Sequence, residues 1–188
     1  MTMTSLSVGC PYVLKAAGFL ADIGLTVLWR PGASGFIDHI DVVDGALHLD
    51  PRCSISALLH EAGHLALVPA PYRAMVSGDV HRAIGKVFDD PSVAELPPDH
   101  PTLRALLQAS DPEATAWAWA AGRHLGVPDE LIILDREYSG GGSDIRLALA
   151  ARRYVGIHGL MHAGFCVVRA TPYRPLPTYP NLAFWLQP

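Results

Sequence analysis

Residues 54–68 read Ser54-Ile-Ser-Ala-Leu-Leu-His60-Glu61-Ala-Gly-His64-Leu-Ala-Leu-Val68, and Pro69 follows. The run has helical length and no internal proline, and a proline stops it. Residues four apart on a helix lie one above the other, so His60 and His64 project from one face. Two imidazoles at that spacing can bind a single cation, and zinc favours neutral imidazole ligands in a tetrahedral shell. Glu61 sits about 100° further round the helix. It cannot bind in line with the histidines, but it can reach a water on the open side of the ion. Two ligands, a base and an open position are the working parts of metal-assisted hydrolysis. The plainer reading is a helix with two solvated or core histidines. Ile55, Leu58, Leu59, Ala62 and Leu65 argue against it, because they form an apolar stripe on the opposite face.

The 188 residues suit a single domain able to bury a sizeable core without staples. Half are hydrophobic and 17% are charged, which hints at an adhesive surface: a homo-oligomer or a substrate groove. A net charge of −4 with no basic cluster gives no electrostatic case for nucleic acid. Cys10, Cys53 and Cys166 are odd in number and lack C-x-x-C spacing, which argues for a reducing compartment over a disulfide framework. No Lys or Arg precedes Lys15, so the charged start of a signal peptide is missing. No apolar run approaches membrane-spanning length. The expected setting is cytoplasmic, away from membranes.

Outward from the central helix, residues 11–25 predict a first helix. Residues 25–29, 36–43 and 46–49 predict three short strands, with Pro31–Gly35 as a turn and Asp44-Gly45 as a hairpin. Asp38, His39 and Asp41 read as polar residues of a half-exposed strand. Asp50 or Ser54 is the expected cap of the central helix. Residues 69–101 carry mixed signals and suggest a wall or lid beside the site. Asp111-Pro112 opens a strong helix through Leu125, with Asp111 as cap and Pro112 at its first position. Tyr138-Ser-Gly-Gly-Gly-Ser143 lacks the Lys of a phosphate loop and reads as a flexible joint. Helical signals resume from Ser143 to Tyr154 and, in broken form, from Gly156 to Gly164. Residues 1–170 form the expected domain, and 171–188 a Pro-rich tail whose aromatics pack back on the body.

A catalytic zinc takes a third protein ligand and leaves the fourth place to water. Downstream candidates are Glu113, Asp111, His81, Asp79, Glu95, His158 and His162. Glu113 leads on physical grounds, because Ala114, Ala116, Ala118, Ala120 and Ala121 let its helix approach another closely. Asp111 has a competing duty as cap. An oxyanion donor is also needed; His81, Tyr138, Tyr154, His158 and His162 are the candidates.

Ala46-Leu-His-Leu-Asp50, His60-Glu-Ala-Gly-His64 and Glu113-Ala-Thr-Ala-Trp-Ala118 with Pro128 beyond together resemble the ImmA/IrrE-like metallopeptidases. The resemblance covers roughly residues 25 to 130, with Trp117 where that family has Phe. It implies an α+β, zincin-like fold in which a short antiparallel β-meander packs against a mostly helical body carrying the H-E-x-x-H helix. It implies a gluzincin-like ligand set of His60, His64 and Glu113, with Glu61 as general base. It further implies that the strand before the active helix pairs with an extended peptide or protein substrate. The expected activity is zinc-dependent peptide-bond hydrolysis. The rival is a catalytically silent module that keeps zinc as a brace and binds a protein partner.

Overall fold

The computed structural model describes residues 9–188; residues 1–8, on which the signal-peptide reading falls, lie outside them. Helix α1 (Pro11–Asp22) has Pro11 at its first turn and buries Val13, Ala16, Ala17 and Leu20. Strands β1 (Val27–Trp29), β2 (Ile40–Val43) and β3 (Ala46–Leu49) follow. Asp44 and Gly45, at φ 49° and 74°, make the β2–β3 hairpin with both central residues left-handed.

The sheet is mixed, which corrects the expected antiparallel meander. Its order is β1-β3-β2, with β1 parallel to β3. The outer edge of β2 is already engaged: the Gly35 N–H donates to the Ile40 carbonyl at 2.9 Å, and the Gly78 N–H to the Val42 carbonyl at 2.7 Å. β1 therefore takes the other edge of β3, and residues 30–39 cross over to connect β1 to β2. The central β3 has no free edge for a substrate strand, contrary to the expectation drawn from the resemblance. The second strand also starts later than expected, because His39 turns left-handed at φ 67° just before it.

Helix α2 (Ile55–Leu67) is the predicted central helix, and its cap is Ser54, whose Oγ accepts from the Ala57 N–H at 3.1 Å. Not one stripe but nearly the whole circumference is buried, including Leu58, Leu59, Ala62 and Leu65. A helix enclosed in this way belongs to the core.

Residues 69–101 are more ordered than their signals suggest. A 3₁₀ turn (Ala70–Met75) precedes α3 (Val80–Val87), α4 (Pro91–Ala94) and then α5 (Pro101–Leu107). Helix α6 (Asp111–His124) packs along α2. The contact is close because Gly63 has no Cβ: one placed there would stand 2.7 Å from the Ala114 carbonyl oxygen. Next come α7 (Asp129–Ile132), a 3₁₀ turn (Asp135–Tyr138), α8 (Gly142–Ala150) and α9 (Gly156–His162).

The C-terminal segment lies on the body. Tyr179 is fully buried and its hydroxyl donates to the Ala116 carbonyl at 2.9 Å. The Trp117 indole N–H donates to the Trp185 carbonyl, also at 2.9 Å. Among the described residues no helix is long and apolar enough to cross a membrane.

Candidate metal centre

The i, i+4 spacing on α2 brings His60 and His64 together as the sequence requires, Nε2 to Nε2 at 3.2 Å. From the first turn of α6, Asp111 Oδ1 reaches His64 Nε2 at 3.1 Å and His60 Nε2 at 3.7 Å. Ligand atoms of these three residues all lie within 4.8 Å of one another. Tetrahedral zinc with bonds of about 2.0–2.1 Å separates its ligand atoms by about 3.3 Å, so the donor set and spacing suit that ion.

Proton placement agrees. His64 Nδ1 lies 2.9 Å from the Ala109 carbonyl, which can only accept, so Nδ1 carries a hydrogen and Nε2 is the nitrogen left to face the centre. Burial alone would push His64 down, but the Asp111 carboxylate, the Ala109 carbonyl and Glu61 outweigh it and raise it. Hydrogen bonds from His60 and then His64 hold Asp111 far below the usual carboxylate range. Each shift favours positive charge between the imidazoles and the carboxylate, which a divalent cation would supply.

The structure seats Asp111, and not Glu113, in this group. Ser110 occupies the N-cap of α6, so Asp111 has no capping duty to compete with ligation. Glu113 hydrogen-bonds the Ser110 hydroxyl and lies against Gly159 of α9. Two residues along a helix are about 200° apart, so Asp111 and Glu113 cannot both face α2.

Glu61 is 6% exposed and faces a cavity of about 860 Å³ in front of the cluster. Burial raises its carboxyl above the ordinary range, with Asp111 and Asp79 adding to the rise while His64 and His60 oppose it. Around the cavity stand Phe36, His39, Arg52, His81, Tyr138 and Tyr154. His81 thus joins a wall supplied by α3. His158 and His162 are not among the lining residues, and neither is Glu95.

No protein-family profile, curated protein or solved structure matches the chain.

One contributor escaped the sequence reading altogether. Thr115 is 1% exposed, and its Oγ1 lies 3.4 Å from His60 Nδ1 and 3.3 Å from the Tyr138 hydroxyl. The available signal was its spacing: Thr115 follows Asp111 by four residues and so shares its helix face. Burial raises both the Tyr138 and Tyr154 phenols, which keeps them protonated donors at neutral pH.

Proposed function

We propose that this chain is a zinc-dependent metallopeptidase of the zincin type, with His60, His64 and Asp111 holding the ion and Glu61 as general base. The observation that carries the reading is the convergence of two imidazole nitrogens and a carboxylate oxygen beside a buried glutamate that opens on a substrate-sized cavity. The H-E-x-x-H helix and the resemblance to the ImmA/IrrE-like peptidases point the same way. Three free cysteines suit a reducing, cytoplasmic setting.

When bound, zinc supplies Lewis acidity and lowers the pKa of water at the site. Glu61 accepts a proton as the water oxygen attacks the scissile carbonyl carbon, then returns it to the amine nitrogen as the C–N bond breaks. Asp111 adds negative charge that offsets the ion, and the Ala109 carbonyl keeps His64 in its ligating tautomer. The walls of the cavity hold the peptide. A catalytically silent zinc-braced module would need no carboxylate beside its ligands, and the buried Glu61 favours the hydrolase.

Elemental analysis together with cleavage of a broad peptide pool tests the proposal. Wild-type protein should carry one zinc and cleave, whereas Glu61→Gln should keep the zinc and lose cleavage. Zinc-loaded wild type that cleaves nothing would leave the silent module as the better account.

A further inference from the structure

The peptidase reading leaves open which side chain steadies the reacting carbonyl, and the hydrogen bonds behind His60 bear on it. The Thr115 hydroxyl is buried between His60, Tyr138 and Tyr154, all of which line the cavity. Its oxygen is 3.4 Å from His60 Nδ1 and 3.3 Å from the Tyr138 hydroxyl, while Tyr154 lines the same cavity without a hydrogen bond to it. A hydroxyl has one proton and two lone pairs, so it can accept from His60 and donate to Tyr138 at once. His60 Nε2 faces His64 and Asp111. With that nitrogen committed to ligation, the ring proton sits on Nδ1 and donates to Thr115, filling one lone pair. Thr115 then donates its own proton to the Tyr138 oxygen, whose O–H is left free for an acceptor in the cavity.

We infer that Thr115 is a positioning residue that orients His60 for the ion and, through the same hydroxyl, leaves the Tyr138 phenol free to donate to the reacting carbonyl. The fold supports the arrangement from both sides. Asp111 and Thr115 share a face of α6, so ligand and relay are set by one helix. The turn bearing Tyr138 is tied to the start of α2, where the Ser56 hydroxyl meets the Glu137 carboxylate at 2.5 Å. The free phenol would stabilise the oxygen that turns negative as water adds to the carbonyl.

This inference rests on the metallopeptidase reading, and its test needs no natural substrate. Zinc affinity is measured by chelator competition for wild type, Thr115→Val and Thr115→Ser. Binding of acetohydroxamate, a small carbonyl probe, is then measured on the zinc-loaded wild type, Tyr138→Phe and Tyr154→Phe. Thr115→Val should lose roughly 10- to 100-fold in zinc affinity, and Thr115→Ser should recover most of it. Tyr138→Phe should weaken acetohydroxamate binding by about tenfold or more and Tyr154→Phe should not, with zinc affinity unchanged in both. Zinc affinity indifferent to Thr115→Val, probe binding that survives Tyr138→Phe, or probe binding that falls as much in Tyr154→Phe would overturn the inference while the metallopeptidase reading stands. Wild type that binds no zinc would remove that reading and this inference with it.

Discussion

The backbone of Ala114 in α6 lies directly against Gly63 in α2, and a methyl group on Gly63 would come within 2.7 Å of the Ala114 carbonyl oxygen and 3.1 Å of its Cα. The last variable residue of the His60-Glu-Ala-Gly-His64 stretch thus sets how closely the helix carrying Asp111 can approach the two histidines. Backbone cannot move aside as a flexible side chain can, so Gly63→Ala must push the helices apart. Overpacking of this kind typically costs about 1–3 kcal/mol. The variant should melt earlier than wild type and bind zinc more weakly, as read by thermal denaturation and chelator competition. Wild-type values in both would show that the helices yield without cost.

Asp111 and Glu113 make opposite predictions despite being two residues apart. Asp111→Asn should lower zinc affinity by more than the roughly 10- to 100-fold typical of losing an outer partner, because a ligand and its charge are removed. Glu113→Gln should leave zinc content near wild type, since that carboxyl group is engaged by Ser110. Metal stoichiometry of the two purified variants decides the matter, and the reverse pattern would reinstate Glu113 as the third ligand.

Asp50 ties the strand-to-helix corner together and should make stability depend on acid. Its carboxylate accepts from Arg52 Nε at 2.7 Å and from the Gly32 N–H at 2.5 Å. Arg52's side chain, followed by the backbone N–H groups of Gly32 and Arg52, holds it well below the usual aspartate range. The unfolded chain therefore takes up this proton first as pH falls. Its stabilising contribution is fully present above about pH 4, the unfolded value, and fades below it. Melting curves of wild type and Asp50→Asn should stay separated from pH 7 to 5 and converge below about pH 4. A separation that persists undiminished at pH 3 would contradict the role assigned to Asp50.

Burial pushes the Cys53 thiol up to about 11, with the Asp50 charge adding to it, and pushes Cys166 up to about 12. At pH 8 only about a thousandth of Cys53, and less of Cys166, would be thiolate, the form that attacks a disulfide reagent. Titration of the native protein with such a reagent should therefore label Cys10, which is partly exposed, and spare the other two. All three should react after denaturation. Fast native labelling of Cys53 or Cys166, located by peptide mapping, would mean that the core opens there.

Local spacing carried a good part of this protein. Four residues separate His60 from His64, and helical geometry alone turns both to one side; Ser54 as cap and Asp44-Gly45 as hairpin likewise depend on neighbours in the chain. The partner across the centre was not legible in the same way. Asp111 and Glu113 both open α6, and the choice between them depends on the rotation of that helix about its axis against α2, which Gly63 and the glycines of α9 set from a distance. The strand order was hidden for a related reason. It depends on Gly35 and Gly78 taking the outer edge of β2, and Gly78 lies beyond α2 in the chain. Thr115 joined the site only when α6 was seated, bringing its hydroxyl up to His60 and Tyr138. Periodicity says which side chains of one helix point together, but only packing between elements says what they meet.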